Sequence, residues 1–181
     1  MEIPFPLQNN HLFPSQSPQQ LDHSAVLPRH IYATCRRERL TKVRKYLQRR
    51  RIRLSPNLSL LFENAYTVLH QIQEVLYWET SNDILARDRT HEELALYRQL
   101  LPTTNSLRAT LLVDGGSQRA GFAIGTALAS NQSSIGLSVG AARIPARLTD
   151  ADPDPAEPVK FLRFDLTQED RQALLAGGPG S

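Results

Sequence analysis

The sequence predicts an α+β fold: a single domain with a mainly antiparallel sheet and helices packed on one face. Three observations predict it. Ala65, Val68, Leu69, Ile72, Val75 and Leu76 form an apolar stripe at helical spacing, which marks an amphipathic helix over 65–80. Two short runs flank the turn sequence Ser55-Pro56-Asn57 and mark a hairpin over 51–63. Val159 to Leu166 alternates apolar and polar residues, as a half-buried strand does.

The remaining elements follow in chain order. Met1 to Gln20 holds four prolines among Gln, Asn and Ser and has no periodic apolar residues, so residues 1–27 are expected to be a disordered extension. Pro28 suits a first helical turn. Ile31, Cys35, Leu40, Val43 and Leu47 then share one face of a helix over 28–49, with arginines and lysines on the others. Arg51 to Leu54 reads as a half-buried strand and Leu58 to Glu63 as its partner. Asn64 is an expected N-cap for the helix over 65–80. Thr90 with Glu93 three residues on forms a capping-box pattern, which predicts a helix from 90 to 101 ended by Pro102.

Leu107–Val113 is apolar enough for a central strand, and Asp114-Gly115-Gly116 is a turn. A short helix over 118–129 is expected, weakened by Gly121 and Gly125. Residues 135–139 and 142–148 read as short strands, and 150–158 as an acidic, proline-rich loop. Thr167 with Asp170 caps a last short helix. The expected domain spans 28–176, and 177–181 is an expected disordered tail.

Composition narrows the function classes. The 181 residues are 40% apolar and 22% charged, ordinary values for a globular chain large enough for one core. The single cysteine, Cys35, excludes an internal disulfide. No run approaches the ~20 apolar residues of a membrane span, and the N-terminus lacks the layout of a secretory signal, so the expected compartment is the cytoplasm. The net charge of +3 conceals an asymmetry: between Arg36 and Arg53 stand ten Lys or Arg and one acid, a segment of +9, which leaves the rest at −6. Such a basic arm can steer an acidic partner.

Several blocks carry a family resemblance: Ser55-Pro-Asn-Leu-Ser-Leu-Leu-Phe-Glu-Asn64, Thr67-Val68, Gln71-Ile-Gln-Glu74, Glu93-Leu-Ala-Leu-Tyr97 leading to Leu101-Pro102, Leu107-Arg-Ala-Thr-Leu111 and Phe161-Leu-Arg-Phe-Asp-Leu-Thr167. Together, over about 30–176, they resemble the bacterial domain of unknown function 3501 family. The resemblance implies no established activity. It implies a redox or iron-pathway setting, because relatives are often encoded beside rubrerythrin-like and iron–sulfur oxidoreductase proteins. Family members have arginine where this chain has Ala65 and tend to have it at Tyr77, so an anion site built on those cations does not carry over.

The most suggestive chemistry is the polar block around Asn64. Thr67, Gln71, Glu74 and Trp78 share a stripe beside the apolar one, and Glu63 and Asn64 stand at its start. Glu63, Asn64, Thr67, Gln71 and Glu74 are therefore the ligand-binding candidates, in a small oxygen-rich pocket. The competing reading has them capping the helix and bonding neighbouring loops. His70 with Glu74, and His91 with Glu92 and Glu93, lack the Glu-x-x-His spacing of a carboxylate-bridged iron site, so no metal or cofactor is expected. Cys35 reads as a buried structural thiol. Asp114-Gly-Gly116 lacks the phosphate-loop pattern. No catalytic triad or Cys-His pair can be assembled from five scattered histidines, His11 lying in the extension, so no catalytic residue is assigned. The leading expectation is a non-enzymatic accessory module that binds an acidic protein surface through Arg36, Arg37, Arg39, Lys42, Arg44, Lys45, Arg49 and Arg50. The alternatives are a ligand- or metal-binding enzyme using the polar block, and non-specific nucleic-acid binding through 36–53.

Overall fold

The computed structural model describes residues 21–113, 135–139, 142–149 and 159–176, with the single residues 123 and 126. The expected turn at 114–116, helix at 118–129, loop at 150–158 and both chain ends, 1–20 and 177–181, lie outside the described residues. The fold is α+β with antiparallel pairing throughout the described strands. Within the 28–176 stretch the chain forms two compact units. One holds the helices up to Arg50 and from Glu63 to Leu101; the other holds Arg51–Phe62 and the chain from Pro102 onward.

The helical unit contains α1 (Arg29–Arg50), α2 (Ala65–Glu79) and α3 (Asp83–Tyr97). Pro28 accepts the first α1 backbone bond, from Tyr32 at 2.9 Å, and Arg49 and Arg50 close the helix where cations suit its dipole. The packing face of α1 differs from the expected one by a single residue. Tyr32 and Val43 are buried, and Arg36, Arg39, Tyr46 and Arg50 between and after them are half-buried, a run at helical spacing of three and four. Ile31, Cys35, Leu40 and Leu47 lie on its flank and are only half-buried. The phase moves because α1 packs on a polar stripe of α2, where arginine and tyrosine find partners that leucine would not.

In α2 the predicted N-cap is present: the Asn64 side chain accepts from Thr67 N at 3.0 Å, and Thr67 Oγ1 accepts from Asn64 N at 2.9 Å. Val68, Leu69, Ile72 and Leu76 bury the expected stripe, while Ala65 and Val75 are half-buried at its margins. The helix expected from Thr90 instead begins seven residues earlier. Asn82 caps α3, accepting from Leu85 N at 3.0 Å, and Asp83 supplies an acid in the first turn. Thr90 is a buried interior residue whose hydroxyl donates to Ala86 O at 2.6 Å, and Glu93 accepts from Arg89 rather than from a cap. A 3₁₀ turn, Arg98–Leu100, ends the segment before Pro102.

The extension also ends earlier than the expected boundary at 27. Leu21 is 1% exposed, and its carbonyl accepts from Arg98 Nε and Nη2 at 3.0 and 2.7 Å. Asp22 caps a 3₁₀ turn at His23–Ala25, and Leu27 exchanges both backbone groups with the Gln73 amide at 2.9 and 3.0 Å. Long-range side-chain bonds to the backbone order this segment without any apolar periodicity.

The sheet unit contains β1 (Arg51–Ser55), β2 (Leu58–Phe62), β3 (Ser106–Val113), β4 (Gly136–Val139), β5 (Ala142–Pro145), β6 (Arg147–Leu148), β7 (Val159–Asp165) and α4 (Gln168–Ala176). Five strands pair in the order β1-β2-β3-β7-β6, and β4 with β5 forms a separate ladder. The predicted hairpin and the 159–166 strand are in place. Register puts Leu60 opposite Leu111, Ala109 between Phe62 and Leu162, and Leu107 opposite Phe164, all buried on one face. The Phe62 and Phe164 rings lie 5.9 Å apart. The expected half-buried β1 is instead an exposed edge strand, with Ile52 and Leu54 about half open to solvent at 49% and 45%. Thr167 and Asp170 cap α4 reciprocally at 2.8–3.1 Å.

The start of α3 is directly testable. Asn82→Ala is expected to cost about 1 kcal/mol in urea unfolding, and Thr90→Ala less, because it removes one side-chain bond while gaining helix propensity. The reverse ranking would return the N-cap to Thr90.

Candidate functional site

The polar block of α2 is where α1 crosses. Contacts pair the start of α1 with the end of α2, and the end of α1 with the start of α2, so the two helices run antiparallel. At one end Glu63 is 2% exposed. Its carboxylate accepts from the Thr67 hydroxyl and from Gln71 Nε2, the latter at 3.0 Å. Beside it Asn64 Nδ2 donates to the Tyr46 hydroxyl at 2.5 Å, and Tyr46 meets Tyr66 edge to face at 4.7 Å. Arg50 Nη2 reaches the Glu63 carbonyl at 3.4 Å, with its guanidinium 5.7 Å from the Tyr46 ring centre.

Three helical turns away stands the second carboxylate, Glu74. It accepts from the Tyr32 hydroxyl at 2.6 Å, from Arg36 Nε and Nη2 at 2.9 and 2.7 Å, and from Trp78 Nε1 at 3.3 Å. The Arg36 guanidinium lies over the Tyr77 and Trp78 rings at 4.9 and 5.0 Å, and Arg29 over Tyr77 at 5.1 Å. Tyr77 is thus a stacking surface for two arginines of α1.

The five ligand-binding candidates therefore form two clusters rather than one pocket. Glu63, Asn64, Thr67 and Gln71 bond to one another and to Tyr46; Glu74 bonds to Tyr32, Arg36 and Trp78. Partial burial works to raise the Glu74 pKa, but the Arg36 and Tyr32 donors outweigh it and hold the carboxyl below its usual range. Burial first, and then Glu74, raises the Tyr32 phenol far above its ordinary value, so it stays a donor. Burial lowers His70. No three His, Cys, Asp or Glu side chains among the described residues lie close enough to share a metal ion. Cys35 is half-buried and directs its sulfur to the Ile31 carbonyl at 3.4 Å.

The eight partner-binding candidates also separate. Arg36 and Arg50 turn inward as described. Arg39 is half-buried, and Lys42 pairs with Glu38 at 2.7 Å. Arg37, Arg44, Lys45 and Arg49 are exposed on the opposite side of α1. The roles of Tyr32 and Tyr46 were not read from sequence. The signal lay in the spacing 32, 36, 39, 43, 46 and 50, which is regular only when arginine and tyrosine count as packing residues.

Two pH effects follow. Glu74 with a depressed pKa adds stability above the unfolded carboxyl value near 4.3, and that stability is lost as pH falls through the lower folded value. Glu74→Gln is expected to remove this part of the acid sensitivity, to cost about 1–3 kcal/mol at pH 7, and to shift the emission of Trp78, the only tryptophan. An unchanged emission spectrum would contradict the Glu74–Trp78 contact. His70 with a lowered pKa stays neutral where the unfolded imidazole charges, so stability declines as pH drops below about 6.5. Chemical unfolding of His70→Gln at pH 7 and pH 5 should show a smaller difference than wild type.

No helix among the described residues is long and apolar enough to cross a membrane. No curated protein matches the sequence. A solved structure is similar: the crystal structure of a novel protein of unknown function from Burkholderia pseudomallei K96243. It shares 28% identity, aligns over 86% of this chain and 82% of its own, and gives a TM-score of 0.72. The family model described as protein of unknown function (DUF3501) matches residues 20–179. A match over that share of the chain bears out the resemblance carried by the Phe-Glu-Asn and Gln-Ile-Gln-Glu blocks: the protein belongs to the DUF3501 family.

Proposed function

We propose that the protein is a non-enzymatic binding module that docks an acidic protein surface on the outer face of α1. One observation carries this reading. Arg37, Arg44, Lys45 and Arg49 stand exposed on the side of α1 opposite its packing face, and no carboxylate among the described residues pairs with them. Four exposed cations on a rigid helix form a steering surface for a negatively charged partner. The polar block supports an enzyme poorly, because the groups that would bind substrate are already bonded to one another. Nucleic acid is the weaker occupant. The only aromatic of the basic arm, Tyr46, packs against Tyr66 and Asn64, which leaves no stacking platform on the outer face. A redox or iron pathway is the proposed setting, on the resemblance alone.

The test is affinity capture from nuclease-treated native extract with wild type and with an Arg37→Glu, Arg44→Glu, Lys45→Glu, Arg49→Glu variant. The expected result is an acidic protein retained by wild type, released at about 0.5 M salt where charge is screened, and lost from the variant. Equal retention by both proteins would overturn the reading. Binding of the wild type to duplex DNA with a steep salt dependence would replace it with the nucleic-acid reading.

A further inference from the structure

The sheet unit has an edge that no described strand covers. β1 pairs on one side only, because the strand order is β1-β2-β3-β7-β6. All five of its residues, Arg51–Ser55, are exposed. In a strand every second residue turns its N–H and C=O to the outer side, so an edge offers a row of main-chain donors and acceptors. Register fixes which side chains flank that row. Arg51 stands opposite Leu61 and Arg53 opposite Ser59, so both arginines rise from one face of the sheet, roughly 7 Å apart along the strand. Ile52 rises from the other face. It stands opposite Leu60, which stands opposite Leu111. The apolar row of the sheet therefore runs out to the edge and ends half open, with Leu60 and Leu111 buried and Ile52 not.

The charge on this edge is uncommitted. Among the described residues neither Arg51 nor Arg53 has a side-chain hydrogen bond or ion pair. The ladder to β2 also shifts by one residue between Arg53 and Ser55. A bulge and edge charges both select against the wrong strand. A second copy laid antiparallel along Arg51–Arg53 sets arginine against arginine, and like charges directly opposite are unfavourable. A strand with acids at those two places reverses the sign, and an apolar residue between the acids falls opposite Ile52.

We infer that the outer edge of β1 accepts an extended segment of a partner protein in which two acidic residues flank an apolar one, the acids opposite Arg51 and Arg53 and the apolar side chain opposite Ile52. Main-chain bonds supply the attachment, and the acid–apolar–acid alternation supplies the selection. This docking place uses residues other than those of the outer α1 face and stands independently of it.

Fluorescence anisotropy of labelled peptides with the full chain tests it. The probes are Glu-Val-Glu-Val-Glu-Val, the same residues in the blocked order Glu-Glu-Glu-Val-Val-Val, and Lys-Val-Lys-Val-Lys-Val. The alternating acidic peptide is expected to bind saturably, and the blocked and basic peptides at least about tenfold more weakly. Amide hydrogen exchange over 51–55 should slow when the acidic peptide saturates the protein. The double variant Arg51→Glu, Arg53→Glu, changed only at exposed positions, should keep its circular dichroism, lose the acidic peptide and gain the basic one. The charge-reversed α1 variant should bind the acidic peptide as wild type does. No saturable binding, equal affinity for the alternating and blocked peptides, or unchanged exchange over 51–55 would overturn the inference. Binding lost from the α1 variant and kept by the β1 variant would overturn it too, because the peptide would then sit on α1.

Discussion

The helical unit depends on one contact, the Glu74 carboxylate receiving Arg36 side-on while the Tyr32 hydroxyl and the Trp78 indole fill its remaining positions. A carboxylate placed between helices is unfavourable by itself, because leaving water penalises its charged form. Arg36 reverses the sign, since its planar fork matches two oxygens at once and its flat faces rest on Tyr77 and Trp78. The pair is only partly desolvated, with 24% and 22% of the two side chains exposed. It therefore sets which face of α1 meets α2 more than it adds raw stability. The other end of the crossing repeats the logic with neutral groups, Asn64 giving its amide hydrogen to Tyr46 while its oxygen caps α2.

This arrangement explains why the outer face of α1 is so basic. A helix with cations all round would repel itself and its surroundings. Here the arginines divide by environment. Those at 36 and 50 face α2 and find acceptors, and those at 37, 44 and 49 face water. The inner arginines are structural parts of the unit. At Glu63 each carboxylate oxygen already accepts one bond, from Thr67 and from Gln71.

How much of this was legible in the sequence follows from the range of each interaction. The cap at Asn64, the capping box at Thr167 and the apolar stripe of α2 are local and were legible. The polar stripe from Thr67 to Trp78 was also legible, but what faces it was not, because Tyr32, Arg36 and Tyr46 come from 18 to 42 residues away. Counting arginine as a surface residue moved the predicted face of α1 by one position. At α3 two start signals competed: the Thr90–Glu93 pattern matched a capping box, but Asn82 with Asp83 made the real one, and Thr90 turned its hydroxyl back to Ala86. Residues 21–27 have no apolar rhythm and are held by Gln73 and Arg98, bonds that span 46 and 77 residues. No local pattern encodes them.

The account rests on the register of α1 over α2, and a double-mutant cycle measures it most directly. Arg36→Met and Glu74→Gln, singly and together, are compared by urea unfolding at neutral pH. The account predicts a favourable coupling energy of about 1–3 kcal/mol between the two positions. Strictly additive effects would mean that the two side chains do not meet, and that α1 presents a different face to α2.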